Sequence, residues 1–106
     1  MNSSSDPSRE VFRAKINLET SKIAWKELQR FFASGTAIAV NAGLDLVEVA
    51  FQISEDNAVQ VTEWMRSGQV ARVTDVQAQA WFDADAEVWA VVVSPYVLVQ
   101  QAAKLQ

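Results

Sequence analysis

Residues 44–73, LDLVEVAFQISEDNAVQVTEWMRSGQVARV, decide what kind of fold the chain adopts. Read as a helix from Leu44, the polar residues Asp45, Glu48, Gln52 and Glu55 recur at intervals of three, four and three, making one stripe. Read as a strand, Val47, Val49, Phe51 and Ile53 share one face, with Glu48, Ala50 and Gln52 on the other. The polar stripe extends further than the alternation, which favours the helix. The residues of high β-propensity keep a strand over 46–53 open. Asp56 or Asn57 then caps a second helix through Ser67, with Val61, Trp64 and Met65 turned inward and Gly68 as the stop. Residues 70–73 follow as a short extended link.

Towards the N-terminus, residues 1–8 (MNSSSDPS) are small, polar and unpatterned, a disordered leader to a single domain over 9–106. A helix is predicted next, with Asn17 as N-cap and Glu19 in its first turn. Ala24, Trp25, Leu28, Phe31 and Phe32 fall at helical spacing opposite Lys22, Lys26, Gln29 and Arg30, and Gly35 fits its end. Residues 36–41 (TAIAVN), bounded by Gly35 and a turn at 41–43, carry a buried-strand signature.

Towards the C-terminus, Thr74-Asp75-Val76-Gln77 matches a capping box opening a helix that carries Val76, Ala80 and Trp81. An acidic turn at 83–87 leads to a strand over 88–93. Pro95 cannot donate a ladder bond, so it marks a bulge, a sheet edge or the strand's end. Beyond it, 97–99 reads as extended, with a C-terminal helix through Leu105 as the alternative.

One hundred and six residues hold one core, and half of them are apolar, a globular composition. The net charge is −4, which disfavours nucleic acid and anionic membranes as partners. The charge is uneven: residues 9–30 hold six of the nine bases. The chain has no cysteine and no histidine. That removes disulfides, thiolate chemistry, the usual base near neutral pH and the commonest metal ligand. The longest apolar run, 88–99, is interrupted by Ser94 and Pro95 and is too short to span a bilayer. Cytoplasmic location fits this composition.

Three constellations carry candidate chemistry. Asp45 and Glu48 share a helix face, one turn apart, and Asp56 lies within reach; such carboxylates serve as acid and base or hold a hard cation. The plainer reading is a solvated stripe plus an N-cap. Three separated glycines form no phosphate-binding loop, so no cofactor is expected. The helix pair around 54–57 resembles a helix-turn-helix, but 44–75 offers Arg66 and Arg72 against six acids, a poor match to phosphates. Asp83, Asp85 and Glu87 alternate like the start of a calcium loop without its glycine or its final glutamate. Four tryptophans exceed what so small a core easily hides. Trp64, Trp81 and Trp89, with Tyr96, are therefore candidate interface residues, although core burial is the default for each taken singly.

Several blocks together resemble one family: Ile23-x-Trp25-x-x-Leu28, LDLVEVA at 44–50, Asp56, Val61-x-x-Trp64-x-x-x-Gly68, Trp81 and VVSPYVLVQ at 92–100. They are similar to the bacterial domain of unknown function family 2288. That resemblance spans about 16–100, implies a small single-domain protein, and brings no activity, cofactor or catalytic residue with it.

The sequence therefore predicts an α+β domain. A small sheet forms near 36–41 and 88–93, with 97–100 and 46–53 as further candidates, under about four helices. The expected function is a non-catalytic cytoplasmic interaction module that self-associates, a dimer first. The alternative is a small-ligand or metal-dependent site on Asp45, Glu48 and Asp56. Nucleic-acid binding through the helix-turn-helix-like segment ranks below both.

Overall fold

The computed structural model describes residues 7–102. In chain order the elements are α1 (Pro7–Glu19), β1 (Ser21–Ala24), a single-turn 3-10 helix (Trp25–Leu28), α2 (Gln29–Ala33), β2 (Ala37–Val40), α3 (Leu46–Ser54), α4 (Ala58–Arg66), β3 (Val70–Arg72), α5 (Asp75–Asp83), β4 (Glu87–Val93) and β5 (Tyr96–Gln101). The strands make one mixed sheet in the order β1-β4-β5-β2-β3. The fold is α+β, with five α-helices where about four were expected.

The first half of the deciding stretch is helical, and the strand over 46–53 does not form. Asp45 settles it locally. Its carboxylate accepts the amides of Val47 and Glu48, two donors a bare helix start would leave orphaned. Packing settles it globally, because α3 buries Leu46, Val49, Ala50 and Phe51 along one side and turns Asp45 and Glu55 outward. That burial outweighs the β-propensity of its valines. Asn57 caps α4 through the Gln60 amide. Gly68, at φ 79°, takes the left-handed position that ends it. Thr74 caps α5 by accepting the Gln77 amide.

The N-terminal expectation needs correcting. Residues 1–6 of the expected leader lie outside the described residues, while Pro7 and Ser8 open α1. Asn17 is near the end of that helix rather than its cap. Thr20 closes it, its hydroxyl donating to the Ile16 carbonyl at 2.8 Å and its amide to the Asn17 carbonyl at 3.3 Å. Ala24 ends β1, and the apolar spacing from Trp25 to Phe32 belongs to the 3-10 turn and α2, two short pieces turned to one core. Their combined period imitates a single helix, and it hid β1.

Three bonds fix the phase of the sheet. Trp25 N–H donates to Ala86 O at 2.9 Å, Val97 N–H to Thr36 O at 3.0 Å, and Asn41 N–H to Gln69 O at 2.8 Å. β4 pairs antiparallel with β1 and β5, β5 pairs parallel with β2, and β2 antiparallel with β3. The crossover between parallel β2 and β5 runs through the helical middle of the chain. Ser94–Pro95, a cis peptide, forms the β4–β5 turn between paired Val93 and Tyr96. Both strands are interior, so Pro95 marks a strand end and not an edge; the edges are β1 and β3.

Each face of the sheet carries its own core. On the first, Trp25, Leu28, Ala78 and Trp81 pack on Val88, Val97 and Val99. On the second, Ile16 of α1 and Leu46, Val49 and Phe51 of α3 pack on Val91 and Leu98. Trp25 is wholly buried and meets Trp81 edge-on at 5.1 Å, yet its Nε1 has no partner within the described residues. Among the described residues no helix is long and apolar enough to cross a membrane.

Candidate functional site

The three candidate carboxylates do not converge. Asp45 is occupied as the α3 cap, accepting Val47 N–H at 2.9 Å and Glu48 N–H at 3.3 Å. Glu48 is held from both sides: Arg13 of α1 pairs with one oxygen, and Gln52 Nε2 donates to the other at 2.6 Å. Gln52 in turn accepts from Asn57 Nδ2 at 2.8 Å, so the stripe ties α1, α3 and the start of α4 together. Asp56 sits past the far end of α3, exposed, at φ 58°. Asp45 and Asp56 thus flank a nine-residue helix about 14 Å long. Among the described residues no three acidic side chains are placed to hold a metal ion.

The acidic turn disperses in the same way. Asp83 accepts from Gln79 Nε2 at 2.8 Å, Asp85 pairs with Lys26 at 3.3 Å, and Glu87 begins β4. On α4, the second helix of the expected DNA-binding pair, Arg66 lies 3.7 Å from Glu63.

α1 is fastened to α3 by charge and aromatic contact more than by burial. Arg9 meets Glu55 at 3.0 Å, Arg13 stacks over the Phe51 ring at 4.2 Å, and Phe12 lies 6.1 Å from the same ring. Ile16 is its buried apolar anchor.

The four aromatic candidates separate into core and surface. Trp81 is core, packed on Trp25, and is withdrawn from any interface. Trp64 is half-buried against the second core. Trp89 and Tyr96 keep substantial exposure, 38% and 41%. Tyr96 borders an open apolar groove of about 250 Å³ with Ile38, Ile53, Val61, Met65 and Leu98. Drug-sized ligands usually occupy about 300–1,000 Å³ of enclosed space, so this groove suits no more than one or two side chains. Trp89 carries Lys22 over its ring at 5.4 Å.

That lysine leads to the feature the sequence did not disclose. In the β1–β4 ladder, Ser21 and Ile23 direct their amides and carbonyls at β4, and Trp25 its amide, given the Trp25–Ala86 bond and the alternation of antiparallel pairs. Lys22 and Ala24 therefore direct theirs outward. Ala24's carbonyl begins the 3-10 turn as its N-cap. The two amides and the Lys22 carbonyl have no hydrogen-bond partner among the described residues. At the other edge, β3 turns the backbones of Val70 and of exposed Arg72 outward. Val70 is only 3% exposed. Beside β1, Ile23 and Phe31 with Val92, 63% exposed, form an apolar patch. The one signal for β1 was Thr20-Ser21 breaking the helical pattern before Ile23.

The profile of the family described as "Protein of unknown function (DUF2288)" matches residues 11–101. The chain is also similar to a protein of Pseudomonas aeruginosa, PA1075, whose solution structure was determined by NMR. The two are 36% identical with a TM-score of 0.78, over 98% of this chain and 94% of that one. No curated protein sequence matches the chain.

Proposed function

The chain belongs to the family of proteins of unknown function DUF2288, and because that membership assigns no activity, we propose from its geometry a non-catalytic interaction module that self-associates as a dimer. One observation carries the proposal: the outward amides of Lys22 and Ala24 and the Lys22 carbonyl, unpartnered along an open strand beside exposed apolar side chains. Unpaired strand edges are templates for another chain, and natural folds blunt or cover those they do not use. Two of the candidate carboxylates support the fold instead, Asp45 as a cap and Glu48 in an ion pair. Cytoplasmic location belongs to the same proposal, since a cysteine-free chain suits a reducing compartment.

Light scattering behind a sizing column, run from low to high micromolar protein, tests the association. The expected result is a mass that rises to twice 11.7 kDa with concentration. A constant monomer mass over that range removes the proposal.

A further inference from the structure

Resting on that self-association, we infer that two copies join β1 to β1 antiparallel about a two-fold axis at Ile23, making a continuous ten-stranded sheet in which Lys22 of each copy pairs with Glu87 of the other. The inference comes from the phase of the ladder and the charges beside it.

Only residues whose backbone points outward can bond a new strand, and on β1 these are Lys22 and Ala24. Two registers keep the pairing inside the strand. In one, Lys22 faces Lys22 of the second copy, and like charges directly opposite each other are unfavourable. In the other, Lys22 faces Ala24 of the second copy and Ile23 faces Ile23. A third, with Ala24 facing Ala24, sets Lys22 against Lys26, which has left the strand for the 3-10 turn.

The second register is complementary in charge. Ala24 pairs with Glu87 on β4, so Lys22 meets a row reading Ala24 then Glu87 in the second copy. Glu87 lies two strand spacings from Lys22, about 9.6 Å, across the small alanine side chain. An extended lysine and glutamate together cover that distance. Both groups are exposed, and neither has an ion-pair partner among the described residues. Lys22 now lies over Trp89 on the same row of its own sheet, and turning its stem outward carries Nζ to Glu87 of the second copy. Four backbone bonds close the joint, Lys22 and Ala24 each donating to the other's carbonyl twice over. The Ala24 carbonyl shares its second lone pair with the 3-10 turn.

This register also explains the lysine. A lysine in mid-edge normally deters strand addition. Here it repels the Lys22-to-Lys22 register and is satisfied in the Lys22-to-Ala24 register, so it selects one pairing among the possible ones. On the first-core face, Ile23 meets Ile23 and extends the apolar patch of Phe31 and Val92.

The chain has no cysteine, so one introduced thiol reports one contact. Ile23 would face its copy in a non-hydrogen-bonded pair with Cα atoms about 4.5 Å apart, inside the range a disulfide spans. Ile23→Cys is expected to form a covalent dimer under mild oxidation, and Ala24→Cys is not. Independently, Lys22→Glu and Glu87→Lys should each weaken dimerisation roughly tenfold, and the double charge swap should restore it. A dimer that fails to cross-link through Ile23→Cys or cross-links through Ala24→Cys, or charge variants without loss and rescue, overturns the register while leaving self-association intact. A protein that stays monomeric by light scattering overturns both.

Discussion

Replacing Asp45 by alanine and by asparagine separates a helix cap from a chemical group. The carboxylate accepts two α3 amides and lies at the positive end of the helix dipole. Losing an N-cap side chain costs about 1 kcal/mol. The charge itself, on an exposed residue, is worth about 0.3–1 kcal/mol beside the first turn. Asp45→Ala should therefore lower stability by about 1.3–2 kcal/mol, while Asp45→Asn, which keeps a side-chain oxygen in place, should lose only the charge contribution. Because α3 holds four buried residues against the sheet, its first turn cannot fray without strain on the second core. The loss should thus appear in global unfolding. In urea, the midpoint should fall with the slope unchanged, and the melting temperature should drop by roughly 4–8 °C per kcal/mol in a domain of this size. Equal losses for alanine and asparagine would refute the cap, because only a requirement for the charge itself treats both alike. No loss in either would refute it more simply.

Two further outcomes test how the fold is held. Phe51 is 1% exposed beneath Phe12 and Arg13, so Phe51→Ala should cost about 3–5 kcal/mol in denaturant unfolding; a cost under 1 kcal/mol would mean α1 does not seal that side of α3. A Cβ at Gly68 would touch nothing within 4 Å, so Gly68→Ala should cost about 1 kcal/mol through its left-handed φ alone, and Gly68→Asn less; equal melting curves for all three proteins would contradict that conformation.

What the sequence made legible follows from local physics. Asn57, Gly68 and Thr74 mark helix ends by bonds or backbone angles reaching at most three residues, and each occurs where its residue type demands. Strands β2, β4 and β5 were readable for a similar reason: their interiors are apolar enough to be buried in the middle of a sheet. The 44–54 ambiguity was local only in part. It needed both the Asp45 cap and the four-residue buried stripe of α3 to resolve it. β1 escaped because edge strands answer to their neighbours. Its four residues carry a lysine and a serine, its pairing partner is β4 at the far end of the chain, and the aromatic spacing downstream supplied a false helical period.

The candidate site was illegible for a stronger reason. Asp45, Glu48 and Asp56 are close in sequence, and sequence proximity made them look like a cluster; a rigid helix between the first and the last keeps them apart. Lys22 and Glu87 show the opposite relation. They are remote in sequence, and they come to successive rows of one sheet face only because Ala24 pairs with Glu87 and Lys22 with Trp89. Within one copy the two charges lie diagonally, each directly opposite a neutral partner, and neither has an ion pair among the described residues. A two-fold operation at Ile23 puts opposite charges on one row, with only Ala24 between them, and changes neither backbone. An isologous interface requires this self-complementarity, each patch matching itself after rotation. The property belongs to the strand register, and no window of the sequence contains it.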